Sequence, residues 1–274
     1  MVNSRTDYSE HATAAARMVL LELVRILGAY KDELVLVGGW VPELLFSRAN
    51  PHHVGSTDVD LALNHRSISD DQYQSILKAL LEHGYVQGEQ PFMFFRKVSI
   101  AGHSVNVQVD LLAGEYGGST KRHRHQTVQD LKARKARGCD LAFEITERVR
   151  IDGVLPEGAK DSAEIQVAGV VPFLIMKAMA LADRLKPKDA WDIYFCLINY
   201  AGGTGALAEA FRPHLKNKLV EEGLGKMRDK FASTQHVGPK WCADFDEIRD
   251  EEDRAIRIRD AHERVADLLR RLGF

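Results

Sequence analysis

Dense Ala, Leu, Val and Ile over residues 9–28 predict a mostly buried first helix, closed by Gly28 as a C-cap. Apolar Leu34 to Val37 stops at Gly38-Gly39, and Val41-Pro42-Glu43-Leu44-Leu45-Phe46 follows with Pro42 placed for a first helical turn. The order is strand, tight turn, helix. Residues 49–56, ANPHHVGS, are loop by composition, and Thr57 to Leu63 then alternates polar and apolar as a strand does. A second helix is predicted over 70–83, with Ser69 as cap, Gln72 completing a capping box and Gly84 closing it. Phe92 to Ile100 and Ser104 to Leu112 make two strands of a hairpin joined by Ala101-Gly102-His103. Two more short strands, Arg148 to Leu155 and Glu164 to Val167, surround the turn-rich PEGAKDS.

Helices dominate beyond that point. Pro172 opens one running to about Leu185, Pro187 interrupts, and Lys188 to Tyr200 resumes with Trp191, Phe195 and Ile198 spaced for one face. Near the C-terminus Ile258, Ala261, Val265, Leu268 and Leu272 mark an amphipathic helix. The expected fold is α/β in the α+β sense: a small mixed sheet with flanking helices in a core domain of residues 1–168, then a helical domain of residues 169–274. No internal repeat or low-complexity tract interrupts this division.

Composition adds limits more than direction. The 274 residues, 45% hydrophobic and 28% charged, suffice for two modest domains, and no apolar run approaches the ~20 residues that cross a bilayer. The start, MVNSRTDYSEHATAA, lacks the basic head, apolar stretch and cleavage site of a secretory signal, which predicts a cytoplasmic protein with no membrane partner. The three cysteines, Cys139, Cys196 and Cys242, are odd in number and widely spaced, so neither a disulfide framework nor a zinc ribbon is expected. A net charge of −2 excludes a uniformly basic surface. Any basic face is local, and the candidate is KRHRHQTVQDLKARKAR at 121–137, read as a basic loop and helix. There Lys121, Arg122, Arg124, Lys132, Arg134, Lys135 and Arg137 meet only Asp130. Such a segment can track an RNA backbone or stand as a solvated surface, and it lacks aromatics that would stack on bases.

Candidate chemistry concentrates in Thr57-Asp58-Val59-Asp60-Leu61. Residues two apart on a strand share a face, so both aspartates point one way while Val59 and Leu61 point into the core. Asp110, in Val107-Gln108-Val109-Asp110-Leu111-Leu112, joins them if the two strands are neighbours. Unit charges about 4 Å apart repel by roughly 4 kcal/mol at an effective dielectric near 20, so three carboxylates in one cleft call for a cation. Oxygen-only ligands favour magnesium, with manganese as a substitute. A calcium loop starting at Asp58 fails, because its sixth position is Leu63 and its twelfth Ser69.

In order, the pieces are Gly38-Gly39, helix, loop, Ser56-Thr57-Asp58-Val59-Asp60, helix, hairpin and Asp110. This arrangement resembles the DNA polymerase β nucleotidyltransferase superfamily. Within it the chain is similar to the AbiE-type abortive-infection toxin group, through Gly39-Trp40, Ser56-Thr57 and the stretch from Lys177 to Asp192. The resemblance covers 34–112 closely and extends loosely to about residue 200; the final seventy residues add nothing to it.

The resemblance implies a two-metal transfer of a nucleotidyl group from a nucleoside triphosphate. Asp58 and Asp60 would hold the metals and the triphosphate, with Asp110 completing the metal at the acceptor hydroxyl. Gly38, Gly39, Ser56 and Thr57 would contact phosphate, and Lys177 would direct a cation at the triphosphate. Asp189 and Asp192 would orient Lys177 or the nucleotide, although Asp189 serves equally as a helix cap. The acceptor would be tRNA or a protein hydroxyl, and the partner a cognate antitoxin. An antibiotic nucleotidyltransferase acting on aminoglycosides or lincosamides shares the same core, and an inactive binding module of the same fold is the non-enzymatic alternative.

Overall fold

Ser9 accepts a hydrogen bond from the Ala12 amide at 3.2 Å and so opens α1 (Glu10–Ile26), whose Ala15, Ala16, Val19, Leu20 and Leu23 are buried. The computed structural model describes residues 4–64, 67–113, 125–128, 131–184 and 186–274. They form two compact units, one of Ser9–Leu45 with Gly55–Gly169, the other of Val170–Phe274 with Phe46–Val54 and the residues up to Tyr8. The helical unit thus takes in two short segments from the first third of the chain.

The first unit is a mixed sheet with helices. Its strands are β1 (Leu34–Val37), β2 (Asp58–Leu63), β3 (Tyr85–Gln87), β4 (Met93–Ile100), β5 (His103–Ala113), β6 (His125–Val128), β7 (Leu131–Lys135), β8 (Thr146–Val154) and β9 (Lys160–Ala168). The spatial order is β3-β4-β5-β2-β1-β9-β8, and β7 pairs with both β5 and β6. Most neighbours are antiparallel, while β2–β5, β1–β9 and β5–β7 run parallel. Helix α2 (Val41–Leu45) follows the Gly38–Trp40 turn, α3 (Asp70–Glu82) carries the Ser69–Gln72 capping box, and α4 (Cys139–Glu144) precedes β8.

Several elements were not visible in the sequence pattern. Three-residue β3 buries Tyr85 alone, too short a run for alternation to register. The basic segment, expected as loop and helix, contains strands β6 and β7; β7 takes its place by pairing with Leu112 and Ala113 of β5, a long-range contact that overrides local composition. Lys121, Arg122, His123, Arg124 and Asp130 lie outside the described residues. The α4 helix follows Gly138, at φ 85, and is only six residues long.

A buried polar cluster ties α1 to the sheet. Glu22, 6% exposed, accepts from Tyr85 Oη at 2.6 Å and from Arg96 Nε and Nη2 at 3.0 and 2.8 Å. Arg96 pairs in register with Val107, so this cluster lies on the sheet face that α1 covers. One charge satisfies the other and the tyrosine hydroxyl fills a remaining acceptor site, which is what a buried ion pair needs to be tolerated.

The second unit contains α5 (Val170–Asp183), α6 (Pro187–Asn199), α7 (Gly203–Phe211), α8 (Lys218–Lys230), α9 (Val237–Phe245) and α10 (Glu251–Leu272). The final helix starts earlier than its apolar spacing predicts, because Asp250 accepts hydrogen bonds from the Glu252 and Asp253 amides, both at 3.0 Å. Trp191 and Phe195 of α6 meet Phe245 of α9 at the centre, and Tyr8, Phe46, Ala49 and Val54 pack against them. These contacts are why the two early segments belong to the helical unit. Among the described residues no helix is long and apolar enough to cross a membrane.

Replacing Glu22 by Ala should lower the stability of the chain by about 3 kcal/mol, since it strands Arg96 and Tyr85 in a buried site. Lys78→Ala, which removes an exposed pair to Glu82, should change it by less than about 0.5 kcal/mol. Urea denaturation of the two variants checks both.

Candidate active site

Strand β2 lies between β1 and β5, and its register decides which side chains meet. Asp60 pairs with Val37 of antiparallel β1 and with Asp110 of parallel β5, and Asp58 pairs with Gln108. Cross-strand partners share a face, as do residues two apart on one strand, so Asp58, Asp60, Gln108 and Asp110 occupy one face of two adjacent strands. On the other face Val59, Leu61, Val109 and Leu111 are buried in the core. The neighbouring strands on which the role of Asp110 depended are therefore present. Asp110 is 3% exposed, while Asp58 and Asp60 are half-buried.

The turn after β1 is shaped around these carboxylates. Gly38 has φ +75°, and a Cβ there would stand 2.1 Å from Asp60 Oδ2, so the carboxylate rests against a bare Cα. Gly39 and Trp40 complete a single 3₁₀ turn. The helix expected next exists, but α2 spans only five residues. Its dipole is correspondingly small, and any backbone donors for phosphate come from the Gly38–Trp40 turn itself. Trp40 Nε1 donates to the Asp58 carbonyl at 2.9 Å. Buried Ser56 donates through its hydroxyl to Asp58 Oδ1, with Thr57 half-buried between them. On β5, Gln108 Nε2 donates to Asp110 Oδ1 at 3.0 Å. The buried Cys139 thiol is pushed up in pKa by burial first, then by the charges of Asp140 and Asp60, which leaves it an unreactive thiol.

The donor set suits a hard divalent ion, being made of carboxylate oxygens on adjacent strands. Among the described residues no three His, Cys, Asp or Glu side chains are already gathered closely enough to hold a metal. The backbone brings the three aspartates to one face; it does not draw them into a finished cage.

In the helical unit Lys177, Asp189 and Asp192 come together. Lys177 is 7% exposed, with Nζ 2.9 Å from Asp189 Oδ1 and 2.6 Å from Asp192 Oδ2. Arg184 donates twice to Asp189, at 2.8 and 2.9 Å, and Lys188 twice to Asp192, at 2.8 and 3.1 Å. Asp189 therefore does not cap α6; Lys186 is the N-cap, with no side-chain bond. Burial opposes every charge here, yet the opposite charges prevail at three of the four centres. Lys177 is raised by Asp189 and Asp192, Asp189 is lowered by Lys177 and Arg184, and Asp192 is held well below the carboxylate range by Lys177, Lys188 and His53. At Lys188 burial wins, aided by repulsion from Lys177, and the pKa falls.

His53 completes this network, and its partner was not legible in the sequence. Its Nε2 lies 2.9 Å from Asp192 Oδ1, and its ring lies against Trp191 and Phe195, with centroids 4.9 and 4.8 Å away. Burial first, then the charge of Lys188, lowers its pKa from 6.5 to about 4, so it is neutral and donates to the carboxylate. Nothing local in ANPHHVGS signals a partner 139 residues away.

A sheet with carboxylates at adjacent strand positions beside a double-glycine turn is the frame of a nucleotidyltransferase. Residues 21–271 match the family described as "Nucleotidyl transferase AbiEii toxin, Type IV TA system", and the chain belongs to that family. The match runs through the final seventy residues, which the motifs alone had left outside the resemblance. No curated protein and no solved structure matches the chain.

The lowered pKa of His53 has a definite sign. Below pH 6.5 the unfolded chain takes up a proton that the folded chain refuses until about pH 4, so stability falls as pH drops through that window. Between pH 7 and pH 5 the loss should be about 2 kcal/mol, read from urea midpoints. His53→Gln should flatten the dependence in this range, and an unflattened profile would assign the slope to other groups.

Proposed function

We propose that this chain transfers a nucleoside monophosphate from a nucleoside triphosphate to an acceptor hydroxyl, whose oxygen bonds to the α-phosphorus as the α–β anhydride breaks and pyrophosphate leaves, as the toxin of a toxin–antitoxin pair, with Asp58, Asp60 and Asp110 as the metal-holding carboxylates. The observation that carries the reading is the parallel register of Asp60 with Asp110, with Asp58 on the same face. A bound Mg²⁺ or Mn²⁺ would polarise the α-phosphate and stabilise the attacking and leaving oxygens. The chain's own residues prepare that site. Gly38 leaves room at Asp60, Ser56 orients the carboxylate of Asp58, and Gln108 orients that of Asp110. Backbone amides of Gly38 and Gly39, with the Thr57 hydroxyl, are the proposed phosphate donors, the single hydroxyl proton of Ser56 being committed to Asp58. In the helical unit Lys177 is held by Asp189 and Asp192, and its charge is taken up within that cluster.

For the acceptor, RNA is favoured by the position of β7. This strand carries Lys132, Arg134 and Lys135, and it pairs with β5 at Leu112 and Ala113, immediately beyond Asp110. A cationic antibiotic would instead call for added carboxylates beside the site. The β4 partners on the aspartate face are Met93, opposite Asp110, and Phe95, opposite Gln108. The presence of all three aspartates weighs against an inactive binding module. A cognate antitoxin is the proposed protein partner.

Purified chain with magnesium and labelled triphosphates should transfer label to bulk tRNA, and Asp60→Ala and Gly38→Ala should each reduce the rate by at least about 100-fold. Equal transfer by Asp60→Ala would refute the mechanism. Replacing Lys132, Arg134 and Lys135 together by Ala should lower the slope of log affinity for RNA against log salt by about 2. An unchanged slope would remove β7 from the RNA surface.

A further inference from the structure

We propose that Trp40 is a positioning residue for Asp58, setting the main chain of the metal-binding strand through its indole N–H. The inference rests on the assignment of Asp58 to the metal site. Strand β1 ends at Val37, opposite Asp60, so its ladder stops two residues short of Asp58. In place of a partner on β1, the Asp58 carbonyl receives Trp40 Nε1 at 2.9 Å. Trp40 is 3% exposed, so this hydrogen bond is shielded from competing water.

The ring is itself held from the other side. Gly55 has φ +70°, and a Cβ there would lie 3.1 Å from Trp40 Cζ3, so the indole is seated against the bare backbone of the residue three before Asp58. One short turn thereby controls both aspartates of β2. Gly38 faces the carboxylate of Asp60, and Trp40, two residues later, anchors the backbone of Asp58. Ser56 then fixes the remaining freedom, the carboxylate rotamer of Asp58. A carboxylate held in place before the ion arrives binds it with less loss of conformational freedom, as outer hydrogen bonds do for metal ligands generally.

The discriminating variant is Trp40→Phe, which keeps an aromatic ring against Gly55 and deletes the donor. At a temperature where circular dichroism shows the variant folded, its affinity for Mn²⁺, measured from the free-ion resonance, should fall about tenfold. Transfer to tRNA should fall in proportion and recover as Mn²⁺ is raised. A lowered melting temperature with unchanged Mn²⁺ affinity would reduce Trp40 to a packing residue and overturn the proposal. Asp58→Asn separates the two levels of inference: if it too leaves Mn²⁺ affinity unchanged, the metal site itself is misplaced. If Trp40→Phe does not fold, the unaltered protein labelled with ¹⁵N-tryptophan provides the test. By reciprocity of coupled equilibria, Mg²⁺ should slow hydrogen exchange at the Trp40 indole several-fold relative to Trp191 and Trp241. No such difference would overturn the proposal.

Discussion

The parallel pairing of β2 with β5 is the constraint on which the candidate site depends. It puts Asp60 opposite Asp110 and Asp58 opposite Gln108. A shift of one residue would carry a carboxylate to the core face, where Val59, Leu61, Val109 and Leu111 are buried. Burying an unpaired carboxylate costs several kcal/mol, so the hydrophobic face enforces the register that the polar face uses. Core packing and site geometry are thus two consequences of one alternation.

Holding carboxylates side by side has an electrostatic cost, and the surrounding residues are arranged to bear it. The hydroxyl of Ser56 and the amide of Gln108 each donate to one of the aspartates, and the bare Cα of Gly38 lets Asp60 sit without a steric contest. The opposite face carries a separate solution to a buried charge. There Glu22 is neutralised by Arg96 and hydrogen-bonded by Tyr85, which fastens α1 to β3 and β4. The two arrangements are linked through the sheet, because β4, which carries Arg96, pairs with β5, which carries Asp110.

In the helical unit, charge is buried in another manner. Two carboxylates, Asp189 and Asp192, are shared by Lys177, Lys188 and Arg184, with His53 kept neutral as the last donor. Isolated buried charges would be costly, but each here has at least one opposite partner at hydrogen-bond distance. The segment carrying His53 is fixed to this unit by that hydrogen bond and by Phe46 against Phe195, which explains how nine residues between α2 and β2 come to belong with helices far along the chain.

The sequence by itself determined the elements whose signals are local. The Ser69–Gln72 capping box, the β4–β5 hairpin, the amphipathic final helix and the shared face of Asp58 and Asp60 all follow from spacing within a few residues. It also carried the order of motifs that matches the family. Only the tertiary structure decided the rest. That Asp110 stands beside Asp60 is a fact of strand pairing across fifty residues, and β7 is a strand because β5 offers it an edge, in spite of its basic composition. Asp189 could be read from sequence as a helix cap; packing instead buries it and joins it to Lys177. Trp40 and His53 acquire their partners only when the chain folds back on itself. Local periodicity reports which face a side chain takes, whereas its partner depends on contacts that no neighbouring residue specifies.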